Sequence, residues 1–214
     1  NQQEKLNKRI DQGNLVYSIN LKEKTASVID QKNFKKNIII PRSVNYESNE
    51  YTITSISKRA FQFSQIDTVQ FSPDSSIQTI ELEAFFFSTI QCISIPPSLI
   101  ELKTGWCSDT KRLSKVIISP NNEIYKIHED KFIIGKSSKK EKNFDVLVFA
   151  FRDAQEVTIP NFIKHIEACA FEGCKSIEIP EDSILETVSY KAFCGSSIES
   201  IKIPSSVTQI EKCS

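Results

Sequence analysis

Apolar residues in this chain recur in a fixed phrase. Ile177-Glu178-Ile179-Pro180 is followed by Ile184, Val188 and Ala192-Phe193. Val157-Thr158-Ile159-Pro160 is followed by Ile163, Ile166 and Ala170-Phe171. Ile93-Ser94-Ile95-Pro96, Leu99 and Leu102 form an earlier copy. The apolar-polar-apolar triplet has period two, the mark of a short strand with one buried face. Proline cannot donate to a sheet ladder, so each strand is expected to end there. The apolar residues after it are expected to point back into the core. Ala-Phe closes the turn: the small alanine lets backbones approach, and the phenylalanine plugs the space between coils. From Pro160 to Pro180 to Pro204 the phrase returns after 20 and then 24 residues. Such a period predicts a solenoid, whose coils bury their apolar faces only against each other.

Seven strands are expected, centred on Ile39, Gln70, Ser94, Ile117, Thr158, Glu178 and Lys202, each paired in parallel with its neighbours. Segment 132–149 breaks the period. Phe132-Ile133-Ile134-Gly135 and Asp145-Val146-Leu147-Val148-Phe149 read as a β-hairpin with a solvated tip at Lys136–Asn143. A shorter insertion spans Asn45–Tyr51. Near the start, Leu15–Ile19 and Ala26–Ile29 read as a further hairpin that caps the first coil, as terminal repeats require. The expected organisation is therefore an amino-terminal cap over residues 1–37 and a repeat array over 38–214. Cys213-Ser214 stands where the next Ala-Phe would fall, so the array is expected to continue in the natural protein.

These residues resemble the leucine-rich repeats of the BspA-like surface-antigen family. Its consensus is roughly Leu-x-x-Ile-x-Ile-Pro-x-x-Val-x-x-Ile-x-x-x-Ala-Phe-x-x-Cys. Ile163, Ile166, Ala170-Phe171 and Cys174 fit it directly, and Ile201, Ile203, Pro204, Val207 and Ile210 fit as well. The resemblance runs from about residue 38 to the end. Trp106-Cys107 and Lys131-Phe132 depart from Ala-Phe, so those coils are expected to be locally distorted. The resemblance implies a leucine-rich-repeat solenoid of the α/β horseshoe class, mostly β, with short helical or irregular convex turns. It also implies a non-enzymatic adhesion module at the cell surface or secreted, as in oral bacteria and mucosal protozoan parasites, with host cell or matrix proteins as ligands. A composition rich in Lys, Asn and Ile points to a protozoan source.

Charge narrows the partners. The 27 basic and 27 acidic residues cancel, so no global field draws the chain toward nucleic acid or anionic lipid. No apolar run reaches the ~20 residues that span a bilayer. The polar start, Asn1-Gln2-Gln3-Glu4-Lys5, is not a signal peptide. Lys136, Lys139, Lys140 and Lys142 make a basic run. Such a run can touch heparin-like glycans or nucleic acid, but without interleaved aromatics it reads first as a solvated tip.

The six cysteines carry no Cys-x-x-Cys pair. A zinc site would use His165, Cys169 and Cys174, with Cys194 as an optional fourth ligand, and the spacing matches no common module. Buried thiols acting as small hydrophobes explain the set better. Cys169 and Cys213 share one repeat phase, and Cys174 takes the family's own cysteine position. Cys92 is the exception, on an outward strand position, where it is either a reactive thiol or shaded by neighbours. His128 and His165 occupy polar, outward phases without a catalytic partner in sequence. No catalytic, cofactor-binding or metal-binding residue is assigned.

The outward strand positions are the expected partner-binding surface. They are Asn37 and Ile39, Thr68 and Gln70, Cys92 and Ser94, Lys115 and Ile117, Glu156 and Thr158, Ser176 and Glu178, Ser200 and Lys202. Ile39 and Ile117 are the apolar exceptions, either anchors or covered by neighbouring hairpins. The open carboxy-terminal coil also offers an edge for self-association. An intracellular repeat scaffold is the alternative to the surface adhesin. The thiols favour it, as does the lack of any Asn-x-Ser/Thr site.

Overall fold

Period-two alternation becomes strand almost wherever it was expected. The computed structural model describes residues 7–33 and 35–212. The chain divides into two units, Asn1–Asn122 and Glu123–Ser214, each a stretch of mostly-β solenoid without a helix among the described residues.

The first unit opens with three antiparallel strands, β1 (Asn7–Gln12), β2 (Leu15–Asn20) and β3 (Thr25–Gln31). The sequence anticipated β2 and β3 but not the exposed β1. Then come β4 (Asn37–Ile40), β5 (Ser43–Tyr46), β6 (Asn49–Ile56), β7 (Thr68–Phe71), β8 (Thr79–Ile80), β9 (Cys92–Ile95), β10 (Glu101–Leu102) and β11 (Lys115–Ile118). The insertion at Asn45–Tyr51 is the antiparallel β5–β6 hairpin. Each coil supplies two sheets. The longer strands form one sheet in the order β11-β9-β7-β4, and the shorter ones continue the amino-terminal ribbon as β3-β6-β8-β10. The cap is thus hydrogen-bonded into the repeat: β3 lies parallel to β6.

A third column runs through the Ala-Phe turns. Phe61 N–H donates to Ala84 O at 2.8 Å and Phe63 N–H to Phe86 O at 2.9 Å. Phe85 N–H donates to Trp106 O at 2.9 Å and Phe87 N–H to Ser108 O at 3.2 Å. Alternate amides can point along the stack because the residue before each Ala-Phe and the second residue after it sit at positive φ. In two coils these are Arg59 (58°) with Phe63 (57°), and Glu83 (53°) with Phe87 (54°). Inside this column the Phe61 and Phe85 rings stack at 5.2 Å, and Trp106 meets Phe85 edge-on at 6.2 Å. Trp106 therefore substitutes for Ala-Phe without breaking the turn. Full burial of each phenylalanine contributes about 1.5–3 kcal/mol.

The second unit begins with the insertion. β12 (Tyr125–His128), β13 (Phe132–Gly135) and β14 (Val146–Ala150) are antiparallel, and β13 and β14 are buried on both faces. The rest is β15 (Glu156–Thr158), β16 (His165–Ile166), β17 (Ser176–Glu178), β18 (Thr187–Val188) and β19 (Gln209–Ile210). β14, β16, β18 and β19 pair in parallel, and β15 pairs with β17. The Ala-Phe column recurs: Phe171 N–H donates to Ala192 O and Gly173 N–H to Gly195 O, both at 3.0 Å. Arg152 is buried beside it. Its guanidinium donates to Glu172 O at 2.8 Å and to the Glu172 carboxylate at 3.1 Å, and lies 4.5 Å from the Phe149 ring centre.

Three expectations are corrected. The seven strands do not form one sheet: four lie in the first unit and two in the second. The seventh, at Lys202, is irregular. Ile203, one of its inward positions, is exposed, so little burial holds that segment in register. Ile184 does not point into the core. The turn after Pro180 is two residues longer than the one after Pro160, so Leu185 is buried where Ile163 is buried, and Ile184 stays exposed.

Two substitutions separate strain from burial. At Gly173 (φ +87) an added Cβ meets only Arg152 O at 3.9 Å, so Gly173→Ala has room but adopts a left-handed backbone. It is expected to cost about 1–2 kcal/mol. Arg152→Met leaves the Glu172 carboxylate buried without its cation and is expected to cost about 3–5 kcal/mol. Urea unfolding midpoints check both, and equal losses would contradict this reading.

Candidate functional site

The long strands carry their inward and outward residues in strict register. In the first unit Asn37, Thr68, Cys92 and Lys115 align across the sheet, while Ile39 pairs with Gln70 and Ser94 with Ile117. The buried residues between them, Ile38, Val69, Ile93 and Val116, hold the strands down. The outward rows therefore carry little of the packing, although Thr68, Cys92 and Ser94 are half-buried. Ile39 is 65% exposed and Ile117 50% exposed. They sit on the two edge strands, about 14 Å apart at ~4.8 Å per strand. Thr68 Oγ1 donates to Asn37 Oδ1 at 2.8 Å, which ties the polar row together at one end.

Ile39 remains uncovered by the amino-terminal ribbon. With Asn37 it edges a groove of about 250 Å³, whose other wall is the β1–β2 turn at Gln12, Gly13 and Asn14. Tyr17 also lines it. Burial pushes its phenol up to about 12, so it stays a neutral hydroxyl at physiological pH.

In the second unit Glu156 aligns with Ser176 and Thr158 with Glu178. Thr158 Oγ1 donates to Glu178 Oε2 at 3.2 Å. Ser200 and Lys202 are exposed but lie off the sheet, and Lys202 Nζ pairs with Glu181 at 2.9 Å. The fourteen outward residues thus form two groups, eight on one sheet and four on another, with Ser200 and Lys202 outside both.

Cys92 is half-buried, and desolvation raises its pKa against a lowering pull from Lys115. Its location makes it a sluggish thiol, which answers in favour of shading by neighbours. Burial pushes Cys174 up to about 11, and its thiol donates to Ala154 O at 3.3 Å. Cys194 is exposed rather than buried, and Cys213 lies outside the described residues. No group of three or more His, Cys, Asp or Glu is placed to hold a metal among the described residues.

His165 is half-buried, not fully outward. Thr187 Oγ1 lies 2.9 Å from its Nδ1, and Asp145 Oδ2 lies 4.0 Å from its Nε2. This resembles a nucleophile–base–acid line only in composition. The Asp145 contact exceeds hydrogen-bond reach, and that carboxylate already accepts from Ser137 N at 2.9 Å and Ser137 Oγ at 2.8 Å.

The sequence reading missed a second exposed feature, the aromatic edge formed by Phe63, Phe86 and Phe87. Phe63 is 65% and Phe87 46% exposed, with ring centres 5.7 Å apart. Both occupy the left-handed position that Gly173 and Gly195 take in later coils. A left-handed phenylalanine costs about 1–2 kcal/mol that glycine would not. The signal was present in Ala60-Phe61-Gln62-Phe63 aligned with Ala170-Phe171-Glu172-Gly173.

The profile described as the BspA type leucine rich repeat region matches residues 11–135 and 143–214 in six copies. No curated protein matches the chain. Several solved structures resemble it. One is a leucine-rich repeat protein from Eubacterium ventriosum, with a TM-score of 0.60 and 17% identity, covering 93% of this chain and 66% of that one. A leucine rich cell surface protein from Faecalibacterium prausnitzii gives 0.46 and 17%, covering 95% and 84%. The pneumococcal vaccine antigen PcpA gives 0.45 and 17%, covering 94% and 71%. The first of these supports the fold, and this chain spans about two thirds of its length.

Thiol labelling tests the placement of the cysteines. A disulfide reagent at mildly alkaline pH, followed by peptide mass mapping, is expected to modify Cys194 first, Cys92 more slowly and Cys174 only on unfolding. The Cys174 pKa is raised from 9.0 to about 11 in the folded chain. Its contribution to stability is therefore full below pH 9 and is lost as the pH rises toward 11. Equal labelling rates in the folded protein would contradict this arrangement.

Proposed function

Because this chain belongs to the BspA-type leucine-rich repeat family, we propose that it is a non-enzymatic recognition module at the cell surface, binding a protein partner through its outward strand rows. The observation that carries this is the pair of aligned rows in the first unit, with Ile39 and Ile117 exposed on the edge strands. Interfaces draw most of their energy from a few apolar anchors ringed by polar contacts. Ile39 and Ile117 supply two such apolar anchors at the edges of the sheet, with Gln70 and Ser94 as polar contacts between them. The second-unit row of Glu156, Thr158, Ser176 and Glu178, with Ser200 and Lys202 beyond it, supplies further polar contacts. The fitting partner is a host cell-surface or matrix protein.

An intracellular scaffold is the second reading. The observation in its favour is the free, exposed thiol of Cys194, which oxidising surroundings would tend to consume.

An antibody raised to this chain is expected to label intact source cells. Labelling only after permeabilisation would overturn the surface reading and favour the scaffold. Against a panel of purified matrix proteins, Ile39→Asp and Ile117→Asp are each expected to weaken any binding about tenfold or more. Unchanged affinity in both would remove the strand rows from the interface.

A further inference from the structure

The inserted hairpin of the second unit forms one wall of a cleft of about 620 Å³. Insertions in a repeat array fall on one face and are where such proteins place binding loops. The floor is apolar and exposed: Phe162 and Ile184 reach it from the turns after Pro160 and Pro180. The extra two residues after Pro180 are what put Ile184 there instead of in the core. Phe144, at the base of the loop, completes the apolar part.

The charges around this cleft are unequally used. Its acidic groups are already engaged. Glu141 accepts from the backbone amides of Lys142 at 2.9 Å and Asn143 at 3.3 Å. Asp145 is buried and taken by Ser137. Glu186 lies 3.7 Å from Lys164. Among the described residues, the ammonium groups of Lys126, Lys136 and Lys142 have no carboxylate within ion-pair reach. Lys126 and Lys136 instead stand over the same ring, 4.3 and 5.1 Å from the centre of Phe144. A cation over the half-buried ring of Phe144 gains about 0.5–2 kcal/mol, and two like charges gathered at one ring repel. The arrangement favours an incoming anion.

We propose that this cleft binds an acidic peptide segment of a partner protein, one that carries an apolar side chain beside its carboxylates. The carboxylates meet Lys126, Lys136 and Lys142, and the apolar residue lies on Phe162 and Ile184. The mixed lining selects this ligand over a sulfated glycan, which would bring dense charge and leave both apolar residues unsatisfied. The proposal deepens the recognition role proposed above, yet it shares no residue with the strand rows, so each can fail without the other.

The test is fluorescence anisotropy with the full chain and a fluorescein-labelled peptide of repeating Glu-Glu-Leu. Saturable, salt-sensitive binding is expected, with the Gln-Gln-Leu analogue unbound. The double variant Lys126→Glu, Lys136→Glu is expected to weaken binding at least about tenfold, and Phe162→Ser several-fold, as for a hot-spot contact. Lys139→Glu with Lys140→Glu, at the loop tip outside the cleft, is expected to change little. Circular dichroism confirms that each variant is folded. Equal loss from the tip variant would mean diffuse attraction to a basic loop, and overturns the proposal. So would unchanged affinity in the cleft variants, or tight binding of heparin oligosaccharides with none of the peptide.

Discussion

No coil of this chain can bury its apolar side alone, so everything depends on stacking one coil on the next. Three hydrogen-bonded columns carry that stacking. Two are parallel ladders, one of longer strands and one of short, two-residue strands. The third is the Ala-Phe turn, where backbone amides donate along the stack and aromatic rings overlap beneath them. This third column requires left-handed backbone before and after each Ala-Phe. In some coils glycine supplies one of the two, as Gly105, Gly173 and Gly195 do. Elsewhere Arg59, Phe63, Glu83 and Phe87 adopt it, and the stacking contacts offset the strain.

The same constraint frees the outside of the molecule. Inward strand residues are apolar, mostly Ile, Val or Leu with Phe71 as an exception, because each faces its equivalent in the next coil. Outward residues face only solvent and one another across the ladder. Stability therefore does not dictate Ile39, Ile117 or Phe63, and the contiguous edge of Phe63, Phe86 and Phe87 is the kind of apolar patch that is informative about binding. The insertion obeys a different logic. β13 and β14 are buried on both faces, so that the loop joining them is anchored at both ends beside Phe162 and Ile184.

Legibility followed period. Ile93-Ser94-Ile95-Pro96 announced its strand through alternation and a proline stop, and the inserted hairpin stood out because it broke phase. The two-residue strands such as Thr79–Ile80 were too short to show a period. The failed strand at Lys202 has the right pattern but too little burial to reward it. Ile184 was misplaced because a longer turn shifted the register to Leu185, and a consensus spacing could not reveal that. The outward residues of β4, β7, β9, β11, β15 and β17 could be read directly, since strand register follows from alternation, whereas Ser200 and Lys202 lie off the sheets. The lysines over Phe144 could not, because Lys126 and Lys136 meet that ring only once β12, β13 and β14 have paired.

Amide hydrogen exchange, resolved by residue, tests the third column most directly. The turn amides of Phe61, Phe63, Phe85, Phe171 and Gly173 are predicted to be protected as strongly as Val69 and Ile93 in the strands, because each donates to the next coil. If they exchange as fast as the amides of Lys139 and Lys140 at the loop tip, the turns are not a stacking ladder, and the account of this fold is wrong.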